Sequence, residues 1–462
     1  MINSPSKTPN FDKALNEILA NLKPHQKTCQ QCGRVFDIFQ EDIEFYKKIK
    51  VPPPTWCPEC RLIRRMVWRN EKTVYKRPSD RSGKPIFTLF SPDVPIKVWS
   101  YQEWLADDWD PMDYGRDYDF KRPFFEQFRE LMLAVPWSAG SMYNVVRSDY
   151  CQNVNNIKDC YLVFGSTLVE NSFYSTDLQS SRDCYDSKYL TQCEISYEGF
   201  FNRKCYRSFF SSHCEDSHDI FFCHNCIGVS NCFGCVGLRN KSYYIFNKPY
   251  SKEEYFQKLN SFNLGSFKNL NLLKDKIEQF RLQFPVKYMH GRHNVNVTGE
   301  YIYNSKNVFN SYHIDNNGEN LKFCFGVGFG AGAKDCYDYT RWGAGSELIY
   351  ETVICGDNLY SLKFCAQCFP NCKDLTYCIW CQNSSNLFGC VGLRHKQYCI
   401  LNKQYTKEEY EKLVPKIIEH MNKMPYVDKK GRVYKYGEFF PPELSPFCYN
   451  ETIAQEYFPL TK

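Results

Sequence analysis

Four cysteines near the start of the chain have the spacing of a metal site. Cys29, Cys32, Cys57 and Cys60 form C-x2-C-x24-C-x2-C. Two such pairs can set four thiolates tetrahedrally around Zn2+. Gly33 follows the second cysteine, where a tight knuckle needs an unhindered backbone. Pro58 stands just inside an expected helix start, where a missing N–H costs little. Four thiolates would close the coordination shell and leave no water site, so the expected role is structural, with one zinc per chain.

The remaining cysteines, out of 25, pose a different question. Cys184, Cys205 and Cys226 are 21 apart, and so are Cys193, Cys214 and Cys235. Cys160 precedes Cys184 by 24. Columns on a fixed period mean stacked repeats, and a period near 20 suits one turn of a β-solenoid. Cys223, Cys226, Cys232 and Cys235 are dense enough to be a candidate second metal site. The competing expectation is that they pack inward as small hydrophobes.

Residues 22–77 carry 13 Lys and Arg against 6 Asp and Glu, while the whole chain is only +6. On the helix expected after Cys57, Arg61, Arg65, Arg69 and Lys72 fall on one face, with Arg64 beside them. Such a stripe could track the phosphates of a nucleic acid or a ribonucleoprotein. The alternative is a solvated face over a small metal core. An acidic run, Asp107 to Asp119, lacks the regular spacing of a calcium loop and reads as capping and solvation.

No GxxxxGK[ST], HExxH or GxSxG string occurs, and nothing positive supports catalysis. No apolar run approaches the ~18 residues of a membrane helix. The first residues, read as an amphipathic helix with Leu15, Ile18, Leu19 and Leu22 on one face, contain no secretory h-region. The expected location is therefore cytoplasmic. Reduced cysteines fit that compartment better than disulfides do.

Two strings, "FGCVGLRNKSYYIFNKPYSKEEY" from Phe233 and "FGCVGLRHKQYCILNKQYTKEEY" from Phe388, are near-copies. Each reads as a strand followed by a helix that Ser251 or Thr406 caps, with Glu254 or Glu409 completing a capping box. They are expected to close two solenoids. The expected fold is mainly β with small α. A treble-clef zinc ribbon comes first, then two tandem Cys-rich β-solenoid units, each with a strand–helix cap. The divisions are 1–77 for N-terminal helix and ribbon, 78–137 for an α+β linker domain and 138–260 for the first solenoid and cap. A linker helix at 261–299, the second solenoid and cap at 300–420 and a tail at 421–462 complete the chain.

The strings "CxxCG…VPPPTWCPECRLIRR…RNE", "WDPMDYGRDYDFKRPFFEQF" and "SPFCYNETIAQEYFPLTK" add a resemblance. The chain resembles uncharacterised treble-clef, zinc-ribbon proteins of candidate-phylum bacteria, some of which carry a CoA-transferase name. The resemblance implies zinc ligands at Cys29, Cys32, Cys57 and Cys60 and no established activity. Members of that family tend to have a cysteine before D-x-S/T-G-K, where this chain reads "RPSDRSGK". The expected function is a non-enzymatic zinc-binding interaction protein that docks nucleic acid or a ribonucleoprotein through the basic ribbon. The alternatives are a protein-binding scaffold with a purely structural zinc, and an enzyme with a site between the solenoids.

Overall fold

A computed structural model describes residues 19–189, 194–200, 204, 206–315, 317–327, 333–338, 340–341, 349–356 and 360–460. Leu15 and Ile18 of the expected first helix, and Cys193 and Cys205 of the expected ladder, lie outside the described residues. The chain divides into two compact units. One comprises Met1–Asn70, Asp93–Trp137 and Met289–Lys462; the other comprises Glu71–Pro92 and Ser138–Tyr288. The stretch 78–137 is thus shared between them.

Each unit contains a β-solenoid of parallel strands. In the second unit the ladder runs from Met142–Val146 to Ser242–Ile245, and successive strands pair twelve residues apart, as in Glu194 with Tyr206 and Tyr206 with His218. The coil is therefore twelve residues long. The expected period near 20 is corrected: a spacing of 21 is one coil plus nine residues, and 24 is two coils.

A three-residue step explains this geometry. Asn144, Arg147, Tyr150, Asn153, Asn156 and Asp159 all have φ between 44° and 54°. A left-handed residue every third position turns the chain four times per twelve-residue coil. The residue after each such corner points inward. Cys151, Val154, Ile157, Cys160, Val163 and Ser166 follow this rule and are all buried. Left-handed backbone costs about 1–2 kcal/mol for most L-residues and less for Asn and Asp, which hold many corners here.

Inward serine and cysteine do the same local work. Ser175 Oγ donates to the Phe173 carbonyl at 2.9 Å, and Cys184 Sγ donates to the Arg182 carbonyl at 3.4 Å. Both satisfy the carbonyl two residues back while filling a narrow interior. This explains why the two residue types interchange along the ladder. Burial pushes such thiols up, with Cys151, Cys355, Cys372 and Cys399 each raised to about 12. These four are neutral packing groups at physiological pH.

In the first unit the ladder runs from Gly291–Arg292 to Gln397–Ile400 with looser coils. Lys306 pairs with Glu319 thirteen residues on, Glu319 with Lys334 fifteen on, and Lys373 with Ser385 twelve on. Among the described residues its interior is richer in leucine and isoleucine and poorer in serine.

Both ladders end alike. The last parallel strand turns back into a two-residue antiparallel strand, Lys248–Pro249 or Lys403–Gln404. Asn247 Oδ1 accepts the Val236 N–H at 2.9 Å, and its Nδ2 donates to the Val236 carbonyl at 2.9 Å. Asn402 does the same for Val391, at 2.8 Å each, and its Nδ2 also donates to the Pro111 carbonyl at 3.0 Å. One amide side chain thus substitutes for the peptide groups of a missing next coil. Helices Lys252–Ser261 and Lys407–Lys423 follow, with their capping boxes formed by Ser251 with Glu254 and Thr406 with Glu409. Tyr255 of the first and Ile277 of helix Phe267–Arg281 pack in an apolar cluster with Phe222, Phe233 and Ile245. Replacing fully buried Asn402 with Ala strands the Val391 N–H and carbonyl, and should cost about 1–3 kcal/mol in denaturant unfolding. Asn402→Asp should not restore the loss, because a carboxylate cannot donate.

Candidate metal centre

The candidate centre is built from a hairpin and a helix start. Strands β1, His25–Thr28, and β2, Val35–Ile38, pair antiparallel. Between them Cys29 N–H donates to the Arg34 carbonyl at 2.9 Å, and Gly33 N–H donates to the Cys29 carbonyl at 2.9 Å. Gly33 has φ 74°, a value that glycine adopts without strain. Helix α1, Gln40–Ile49, follows β2. Helix α2, Pro58–Met66, starts with Cys57 at its N-cap, Pro58 at its first position and Cys60 one residue short of a turn further.

This arrangement brings the four expected ligands together. The sulfur atoms of Cys29, Cys32, Cys57 and Cys60 all lie within 4.8 Å of one another, and no other such ligand group exists among the described residues. Cys57 N–H donates to Cys29 Sγ at 3.2 Å, and Arg34 Nε donates to Cys32 Sγ at 3.5 Å. The Arg34 contact lowers the Cys32 thiol to about 6. Burial raises the thiols of Cys57 and Cys60. A divalent cation bound to all four sulfurs would replace that unfavourable burial of thiolate charge with coordination.

The second cysteine group does not converge. Cys223 and Cys235 share one inward column, while Cys226 and Cys232 stand on two others, as the twelve-residue coil dictates. All four are buried and donate to backbone carbonyls, for example Cys226 Sγ to His224 at 3.4 Å and Cys232 Sγ to Ser230 at 3.4 Å. Placed this way they pack as buried core residues, and among the described residues their sulfurs do not gather within 4.8 Å of one another as the first four do. In the acidic run, Asp110 accepts the Met112 N–H at 2.9 Å and pairs with Lys396 at 2.7 Å, which are capping and ion-pair roles.

The basic stripe is also corrected. Arg61, Arg64, Arg65 and Arg69 are at most 1% exposed, so they are not presented to a phosphate backbone. Lys72 is half-buried and belongs to the other unit. The reason lies in residues far along the chain. Arg61 Nε bonds Asp338 at 2.6 Å, and its other arm donates to the Trp56 carbonyl at 2.7 Å. Arg64 bridges Glu351 at 2.6 Å and Glu438 at 2.8 Å while lying over the Trp56 ring. Arg65 Nε donates to Thr340 Oγ1 at 2.8 Å and approaches Asp338 at 3.7 Å. Three guanidiniums thus face three carboxylates.

Aromatic rings frame the charges. Phe45 of α1 stacks on Tyr337 with centroids 3.7 Å apart, and Tyr46 meets Tyr350 edge-on at 5.5 Å. Burial pushes the Glu351 carboxyl up against the pull of Arg64 and Arg65. Glu438 also accepts the Thr55 N–H at 2.9 Å, two residues before Cys57, and so ties the charge network to the cysteine loop. Sequence reading missed Asp338, Glu351 and Glu438. Only the first two left a signal: they end the strings "CYD" and "IYE", which recur in the other ladder as "CYD" and "SYE".

Comparison with protein-family models, curated proteins and solved structures finds no match. No helix among the described residues is long and apolar enough to cross a membrane.

Two outcomes follow for this centre. Arg64→Ala leaves Glu351 and Glu438 buried without their shared cation, and chemical denaturation should show a loss of about 3–5 kcal/mol. Metal must displace thiol protons, and the Cys57 and Cys60 thiols sit above their ordinary range. Affinity should therefore rise as pH climbs from about 6, where Cys32 ionises, and metal should be released as pH falls, as read by a chromophoric chelator.

Proposed function

We propose that this chain is a non-enzymatic interaction scaffold in which a treble-clef ribbon holds one structural zinc ion and the solenoids present a rigid surface to a protein partner. The observation that carries this reading is the fate of the charged helix behind the cysteines. Its arginines are consumed inside the fold by Asp338, Glu351 and Glu438, so the ribbon works as a component of its own unit. A four-thiolate ligand set leaves no position for water or substrate, which suits a structural ion. The ladder thiols are buried and donate to backbone carbonyls inside the coils, away from any substrate. Cysteines kept as free thiols fit a reducing, cytoplasmic setting.

The basic stripe no longer supports nucleic-acid docking, because charge that is buried and paired adds nothing to attraction for phosphates. A protein partner suits the exposed aromatic side chains of the solenoid, among them Tyr143, Tyr174 and Tyr206.

The test is metal analysis on reduced, untagged protein, joined to partner capture with and without nuclease. One zinc per chain and a nuclease-resistant protein partner are expected. Two or three tightly held ions, or capture that nuclease abolishes, would overturn the reading.

A further inference from the structure

The two solenoids can be aligned coil by coil from their shared closing string. Counting back from Phe233 and Phe388, the equivalent coils carry Cys184-Tyr185-Asp186 against Cys336-Tyr337-Asp338. One coil later, Ser196-Tyr197-Glu198 stands against Ile349-Tyr350-Glu351. The match extends to the backbone. Asp186 and Asp338 have φ 46° and 63°, and Glu198 and Glu351 have φ 50° and 46°. In both ladders the cysteine, serine or isoleucine points in, the tyrosine points out, and the acid occupies the next corner.

The environments differ completely. Asp338 and Glu351 are fully buried under Arg61, Arg64 and Arg65, with Tyr337 and Tyr350 against Phe45 and Tyr46. In the other ladder Tyr185 and Tyr197 are 37% and 38% exposed, and Asp186 and Glu198 are exposed beside them. Lys274 reaches Glu198 at 3.2 Å, a solvent-exposed pair that contributes little. The surrounding strip is acidic, with 6 Lys and Arg against 10 Asp and Glu over residues 150–235.

The two units also repeat the ribbon's knuckle, but not its helix. In the hairpin of Tyr75–Pro78 and Pro85–Thr88, Ser79 N–H donates to the Lys84 carbonyl at 2.8 Å, and Gly83 N–H donates to the Ser79 carbonyl at 2.9 Å. Gly83 has φ 72°. This is the turn of Cys29–Arg34 with Ser79 and Ser82 in the cysteine positions. The unit Glu71–Pro92 with Ser138–Tyr288 contains no segment matching "CPECRLIRR". It keeps the acidic receptor face and lacks the arginine helix that fills that face in its counterpart.

We propose that the Tyr185–Asp186 and Tyr197–Glu198 face docks an arginine-bearing helix of a partner protein, with arginines at the i, i+3 and i+4 spacing of Arg61, Arg64 and Arg65. Successive coils stand about 4.8 Å apart. That spacing is close to the 5–6 Å between side chains three or four apart on a helix, so two carboxylates on neighbouring coils meet two neighbouring arginines. Arginine is required rather than lysine, because its planar fork reaches two carboxylates at once, as Arg64 does with Glu351 and Glu438, while its face lies on an aromatic ring. A second copy of this chain is not the occupant: its own arginine helix is already buried. The inference rests on the scaffold reading and names its partner class.

The test uses a side-chain-stapled peptide spanning Trp56–Lys72 with Cys57→Ser and Cys60→Ser, against the full chain at low salt by fluorescence anisotropy. Saturable binding is expected. It should weaken at least tenfold against the double variant Asp186→Asn, Glu198→Gln, and by a similar factor when the peptide's arginines become lysines. The substituted positions are exposed, so circular dichroism and the unfolding midpoint should match those of the parent chain. Equal binding to parent and variant, no saturable binding, or self-association of the chain that the double variant abolishes would each overturn the proposal. A chain that captures nuclease-resistant partners but ignores the peptide loses this proposal and retains the scaffold reading; nuclease-sensitive capture removes both.

Discussion

Both solenoids depend on one backbone constraint, a left-handed corner at every third residue. That corner fixes which side chain enters the core and twelve residues as the length of a regular coil. It also decides which carbonyl needs a local donor. Serine and cysteine meet the last demand and the size limit together, and so the described ladder cysteines fill the interior as free thiols. The outward residues beside the corners are then free to differ. In one ladder they become a buried seat for a charged helix; in the other they stay at the surface.

The seat is an unusual solution electrostatically. Removing three guanidiniums and three carboxylates from water is costly, and apolar residues of similar volume often serve stability as well or better. What the charges supply is register. A hydrophobic helix face could slide along an aromatic column, whereas Arg64, held by Glu351 on one side and Glu438 on the other, has one place to sit. The cysteine loop is positioned by the same network through Thr55 and Glu438. The metal centre and the solenoid face are thereby parts of one construction within their unit.

Legibility from sequence followed the range of each interaction. The cysteine quartet, Gly33, Pro58 and the Ser251 and Thr406 caps depend on neighbours a few residues away, and each could be read directly. The solenoid was legible as a repeat, but its true period was hidden. Spacings of 9, 21 and 24 share the factor three, and Cys and Ser had to be treated as one class before the three-residue step emerged. The arginine stripe misled for the opposite reason. Helical periodicity carried the stripe past Met66, where the helix ends before Arg69 and Lys72, and what covers Arg61 and Arg65 is set by contacts hundreds of residues distant, such as Arg61 with Asp338. A charge run says nothing by itself about solvent.

The three-residue step also behaves as a reading frame. An insertion of one residue within a coil would bring every following corner residue to the inward position and turn the core residues out, so a solenoid of this type tolerates length changes only where the frame can be restored. The looser ladder shows how: Lys306 pairs with Glu319 thirteen residues on, one more than a regular coil, and the inward order is kept with Leu321 and Cys324 buried. Whole coils are a different matter. Because Asn247 and Asn402 close their ladders on a residue of the coil before them, Val236 and Val391, the same ending is compatible with different numbers of complete coils upstream. The length of such a protein is therefore quantised, and a lineage could lengthen or shorten its recognition surface one coil at a time without redesigning its terminus.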